Sequence, residues 1–184
     1  DVNFPLAVGN EFTGDRPWRG EISHLCIGDR AASETEISLL LNSQDSCQAI
    51  ASSLVAAYDF RQTPNYSDST HTLPDLEWHQ PNSTGRSTNG VEFTSENWLQ
   101  TRNINVLNEK IKDSSQFTFS FIIATKDFNQ NGPARIISIS PDIYNRNITI
   151  GQWQTNLSIR LRNPLAGANG TRPELIVSNV FNNT

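Results

Sequence analysis

The chain has 184 residues, 36% of them apolar, with 14 basic and 19 acidic residues and a net charge of −5. That length fills one ordinary domain and hardly two, and its dispersed basic residues exclude the electrostatic footprint of a nucleic-acid or anionic-membrane binder. No apolar run reaches the roughly 18–20 residues of a membrane-spanning helix, so no membrane insertion is expected. The composition includes no Met, which makes Asp1 the expected product of processing or the edge of a fragment.

Along the chain, a Gly14-Asp-Arg-Pro17 turn signal leads into Gly20-Glu-Ile-Ser-His-Leu-Cys-Ile27, whose mixture of β-branched, apolar and polar residues predicts a strand. Ser33-Glu-Thr-Glu36 is a capping box, and Ile37, Leu40 and Leu41 follow at helical spacing, so one short helix is expected there. Asn42 to Ser46 ends it, and the Ser-rich passage 46–53 reads as a connector. From Leu54 the period becomes two. Leu54, Ala56, Tyr58 and Phe60 share a face, as do Phe117, Phe119, Phe121 and Ile123. Ile136 to Ile139 is a short apolar run, and Leu157, Ile159 and Leu161 alternate with Ser158, Arg160 and Arg162. Leu175 to Phe181 is the last strand expected. Turn clusters at 129–133, 164–167 and 169–173 separate these runs at the intervals of an antiparallel sandwich.

Two features bear on compartment. Asn65, Asn82, Asn147, Asn156, Asn169 and Asn182 each open an N-x-[ST] sequon without Pro, several beside turn residues where a glycan projects into water. Chance in a chain rich in Asn, Ser and Thr is the alternative. Cys26 and Cys47, 21 residues apart, would close a loop worth about 3 kcal/mol in the chain-entropy model. A disulfide is therefore expected in a secreted context, with two buried thiols as the alternative. The expected location is extracellular, secreted or at the cell surface.

Residues 6–41 carry Leu-Ala-Val-Gly-Asn10, Gly14-Asp-Arg-Pro-Trp-Arg-Gly-Glu-Ile22 and Ala31-Ala-Ser-Glu-Thr-Glu-Ile37. They resemble the closing stretch of a laminin G-like module, a concanavalin A-type sandwich. Leu54 to Phe60, Gly90-Val-Glu-Phe93, Trp98-Leu99, Phe117 to Phe121 and Gly132 to Ser138 resemble its opening strands. The order is inverted: 1–45 looks like the end of a module, 46–53 like a connector, and 54–184 like a beginning. The family usually places a further pair of strands between these parts, and this chain does not supply them. The resemblance implies an all-β, antiparallel jelly-roll sandwich with one short helix. It would be one composite domain, either permuted or completed by strands from a neighbouring copy; a fragment of a tandem array is the third possibility.

For function, the resemblance admits a glycoside hydrolase, but the acidic pairs offer weak support. Glu34 and Glu36 belong to a helix start, where carboxylates meet the helix dipole, and Asp75 and Glu77 flank Leu76 beside Trp78 and His79 in what reads as a solvated loop. His24, His71 and His79 have no spacing for a shared metal, and no nucleophile elbow or phosphate loop occurs. No enzymatic activity and no certain cofactor are expected. Calcium stays open, since laminin G-like modules often bind it through loop carboxylates, here Asp59, Asp127 or Asp142, which otherwise read as exposed turn residues. The expectation is a non-enzymatic extracellular structural or adhesive module, a candidate subunit of a cell-surface or filamentous assembly, whose partners are other copies or other extracellular proteins. The alternative is a lectin-like domain binding glycans through Trp78, Trp98 and Trp153, with an extracellular hydrolase third.

Overall fold

The computed structural model describes residues 3–42, 46–62, 66–80, 83 and 85–182. Its strands and helices run β1 (Leu6–Val8), β2 (Gly20–Gly28), α1 (Glu34–Asn42), a 3₁₀ turn (Ser46–Ser53), β3 (Leu54–Asp59), β4 (Glu77–Trp78), β5 (Arg86–Ser87), β6 (Gly90–Phe93) and β7 (Leu99–Thr101). Then come α2 (Asn105–Ser114), β8 (Thr118–Thr125), β9 (Ala134–Ile139), β10 (Ile148–Trp153), β11 (Asn156–Leu161) and β12 (Leu175–Val177). Every pairing is antiparallel.

One sheet has seven strands in the order β12-β11-β10-β9-β1-β7-β4. The other is built on β2, which pairs β8 along one edge, while β6 and β3 share its opposite edge and β5 continues from β6. Strands from the first 45 residues thus sit inside both sheets. β1 lies between β7 and β9, and β2 between β8 and the β3/β6 side.

The apolar core is what the two inner faces enclose. Leu6 and Val8 stand opposite Ile139 and Ile137, which in turn pair Ile148 and Ile150, so period-two alternation sends these side chains to one side. From the other sheet come Leu25 and Ile27, paired with Phe121 and Phe119. A β-bulge between Ile22 and His24 restores alternation after an odd spacing, so Ile22 and Leu25 both end in the core. The Trp-x-Gly pattern also has a packing cause: Trp18 is fully buried, and a Cβ on Gly20 would lie 2.2 Å from its ring. The Trp18 indole N–H donates to Gln152 Oε1 at 2.8 Å, which gives the ring's one polar atom a partner inside the sandwich.

On the outer face of the β2 sheet, Cys26 is bonded to Cys47, with Cα atoms 5.4 Å apart. This ties the 3₁₀ turn to β2 and leaves no free cysteine. The capping box forms as expected: Glu36 N–H donates to Ser33 Oγ at 3.3 Å and Ser33 N–H to Glu36 Oε2 at 2.8 Å.

The passage 46–53, read as a connector, is a 3₁₀ turn with a kink at Ile50. Two expectations need correction. The structure has a second α-helix, α2, where one helix was expected; its single buried residue is Leu107. The last strand stops at Val177, and Ser178 to Asn182 form no further ladder.

Candidate functional site

Sequence reasoning singled out scattered residues, and the fold places them apart. Asp59 closes β3 and is clamped by Arg61, whose Nη2 lies 2.9 Å from Oδ2; that bond holds its carboxyl below the ordinary range. Asp127 follows β8, 3.5 Å from Arg19, and accepts from Asn129 N–H. Asp142 follows β9, at the opposite end of that strand, and accepts from Tyr144 and Asn145 N–H groups at 2.7 Å. Among the described residues no group of three or more His, Cys, Asp or Glu side chains converges as a metal site. Glu34 lies exposed in the first turn of α1, and Glu36 binds Arg30 through both oxygens at 2.6 and 2.9 Å. Asp75 is exposed just before β4, which carries Glu77.

The three tryptophans do not form one platform. Trp78 packs edge-on against Tyr66 and Phe93. Trp98 is buried and stacks on His79 with ring centroids 3.7 Å apart. Trp153 sits half-exposed at the β10–β11 hairpin, remote from both in the sheet order.

Sequence reasoning missed a buried polar layer on the outer face of the seven-stranded sheet. Thr149 and Ser138 pair across β10 and β9, and Arg135 follows on the same face after a bulge. The loop after β1 turns Glu11 onto them: its Oε2 accepts from Arg135 Nε at 2.8 Å, its Oε1 from Ser138 Oγ at 2.8 Å and from Ser140 Oγ. Both charged partners are at most 2% exposed. Arg146 joins the layer by donating to Thr149 Oγ1 at 3.2 Å and Asn169 Oδ1 at 2.7 Å. Burial, aided by the positive charge of Arg135, lowers the Arg146 guanidinium to about 10. Arg160 and Glu174 add a second ion pair at 3.1 Å. The one sequence signal was Arg135, a charge at the head of an apolar run. Every member makes at least one hydrogen bond or ion pair, though Arg146 Nε and Arg160 Nε are buried without a hydrogen bond among the described residues, and the layer is chemically a structural brace.

The accessible feature is elsewhere, at the edge where the two sheets differ in width. β8 pairs only β2, and among the described residues its other edge has no strand partner. Beneath it the inner face of the seven-stranded sheet becomes uncovered strand by strand. Ile148 and Ile150 of β10 are 4% and 3% exposed, Leu161 of β11 is 37%, and Leu175 and Val177 of β12 are 59% and 42%. Register confirms that these belong to one face, since Ile150, Ile159 and Leu175 are successive partners across β10, β11 and β12. The β2 sheet therefore ends above β10 or β11, and an apolar trough runs between β8 and β12.

Neither flank carries the usual protection. Thr118–Thr125 and Leu175–Val177 contain no charge and no Pro, the residues that normally blunt an exposed strand edge. Helix α1 extends the apolar surface past the start of β8, with Ile37, Leu39 and Leu41 exposed.

Of the sequons, Asn65 and Asn82 lie outside the described residues. Asn147 stands just before β10, Asn156 opens β11, Asn169 lies in the loop before β12, and Asn182 follows it. Comparison of the chain with protein-family models, curated proteins and solved structures returned no match. The functional reading therefore rests on the geometry above.

Proposed function

We propose that this chain is a non-enzymatic extracellular module of laminin G-like kind that acts through protein–protein contact, its short sheet completed by strands from a neighbouring copy. The observation that carries the reading is the mismatch in width between the sheets: an uncharged β8 edge with no strand partner among the described residues, beside the exposed inner-face residues Leu175 and Val177. An added strand would satisfy the unpaired backbone groups of β8 and cover the apolar trough in one step. The contact would gain affinity from main-chain hydrogen bonds and specificity from alternate side chains seated between β8 and β12.

The secreted setting is supported by the Cys26–Cys47 disulfide, a bond that persists in oxidising compartments. The sequons at Asn147, Asn156, Asn169 and Asn182 support it too. Among the described residues no helix is long and apolar enough to cross a membrane.

Sedimentation and electron microscopy of the native chain over a range of concentrations test this reading. Ordered oligomers or filaments that disappear in Leu175→Asp support it. That substitution puts a charge in the trough at an exposed position, so the fold is retained. A strictly monomeric chain at every concentration, with the β8 edge exchanging freely, sinks self-assembly.

A further inference from the structure

Among the described residues the end of the sandwich beneath α2 is open. A cleft of about 440 Å³ enters there between the sheets, within the size range of small-ligand sites. Its floor is apolar: Phe117 and Phe119 on one side, Ile139, Ile148 and Leu161 on the other. Its polar lining is the carboxamides of Asn3, Asn105, Asn108 and Asn147 together with the charged side chains of Glu109, Lys112 and Arg162.

Asn147 also opens the Asn147-Ile-Thr149 sequon. Its backbone is fixed at the mouth of the cleft, because its N–H donates to Ile139 O at 2.8 Å and its C=O accepts from Arg162 N–H at 2.9 Å. Its Nδ2 donates to Asn108 Oδ1 at 3.3 Å across the rim. The other described sequons have no such floor. Asn156 Oδ1 accepts from Asn179 N–H, Asn169 Oδ1 accepts from Arg146, and neither these residues nor Asn182 border the cleft.

We propose that Asn147 carries an N-linked glycan whose first N-acetylhexosamine folds back into this cleft and closes the open end of the sandwich. The inference rests on the secreted reading above. The donor is a lipid-linked oligosaccharide diphosphate, used by a secretory-pathway transferase. A bond forms between Asn147 Nδ2 and the anomeric carbon of the sugar, the bond from that carbon to the diphosphate oxygen breaks, the lipid diphosphate leaves, and Nδ2 gives up one of its two protons. The remaining proton preserves the hydrogen bond to Asn108.

Modification precedes folding, so the later burial of Thr149 against Arg146 does not oppose it. The sugar matches the cleft in kind. Its C–H faces and acetamido methyl meet Phe117 and Leu161, while its hydroxyls meet the carboxamides of Asn3 and Asn105, which both donate and accept. A strand added along β8 would still find Phe121, Ile123, Leu157 and Ile159 on the remainder of the trough.

The test is secretion of the full chain from a glycosylating eukaryotic host, followed by site-by-site mass spectrometry and amidase release of glycans from the native and the denatured protein. The expected result is occupancy at Asn147, with native-state release from it ~10-fold or more slower than from Asn156 or Asn169, a slowing that denaturation abolishes. Asn147→Gln, which keeps a carboxamide at the rim, should then raise the binding of an apolar fluorescent dye. Occupied Asn156 or Asn169 with bare Asn147 would overturn this inference and leave the secreted reading intact. Occupied Asn147 released as fast as the others would overturn the fold-back. A secreted chain with no sequon modified overturns the inference and removes the sequons as support for the secreted reading.

Discussion

Arg135 and Glu11 meet at 2.8 Å on the outer face of the seven-stranded sheet, and neither is more than 2% exposed. Burial, aided by the positive charges of Arg160 and Arg16, pushes the Arg135 guanidinium down from its ordinary value, and the Glu11 carboxylate works against that shift. The pair is thus held together by the cost of separating it.

Arg135→Ala should leave Glu11 charged, buried and unpaired, and should destabilise the fold by about 3–5 kcal/mol. Urea unfolding followed by fluorescence measures this. Glu11→Leu combined with Arg135→Met should recover most of the loss, because two apolar side chains need no partner. A double variant as unstable as Arg135→Ala would show that packing, not charge pairing, governs the site.

Asp68 is 1% exposed and gathers the loop after β3 around its carboxylate. It accepts from the N–H groups of Ala57, Thr70, Thr72 and Leu73 and from Thr70 Oγ1, all between 2.7 and 3.0 Å. Removing it strands several buried donors at once, so Asp68→Ala should cost about 3 kcal/mol or more. Differential scanning calorimetry reads the loss, and Asp68→Asn, which keeps one acceptor oxygen, should lose less.

How much of this was legible beforehand depends on which residues the signal came from. The strands containing Tyr58, Phe119 and Ile159 announced themselves because each sets its large apolar side chains on one face with period two. The Ser33–Glu36 box was equally plain, being a local pattern with a local bond. Helix α2 was not, since among Asn105 to Ser114 only Leu107 is buried and the other residues could equally belong to a loop. β1 and β7 are three residues each, too short for any period to show. Glu11, Arg135 and Arg146 were read past because charged side chains are ordinarily exposed; the loops that seal them come from distant parts of the chain. The trough was visible only as a strand deficit in the order of motifs. Its position between β8 and β12 required the register.

The Cys26–Cys47 bond should contribute about 2–4 kcal/mol, the usual range for a loop of this size. Thermal unfolding with and without reductant measures it. The local effect should be larger than the global one. Cys47 lies in the 3₁₀ turn that packs against both α1 and β2, so reduction should raise amide exchange in α1 before it does so in β9 or β10.

Glu36 gives a prediction with pH. Its bonds from Arg30 and from Ser33 hold the carboxyl at about 2 against an ordinary 4.5. The folded value is the lower one, so the cap's contribution is complete above about 4.5 and is lost as pH falls through about 2. Carbon-detected NMR should find Glu36 titrating well below the ordinary 4.5, and Arg30→Gln should move it up. A Glu36 midpoint near the ordinary 4.5 would mean that the Arg30 bridge does not persist in solution.

The strand edge supplies the last expectation, and it is specific to one side of one strand. In β8 every second backbone N–H points toward β2 and is bonded, while its neighbours point to the uncovered edge. Dilute protein should therefore show an alternating exchange pattern along Thr118–Thr125, slow and fast amides in turn, whereas β2, paired on both sides, should be slow throughout Gly20–Gly28. Raising the concentration should slow the fast set selectively if strands from another copy dock there. Leu175→Asp should restore the alternation, because the same incoming strand has to cover the inner face of β12. Uniform protection of β8 at all dilutions would mean that its outer edge is already satisfied within one chain, and the contact would have to be sought on another surface.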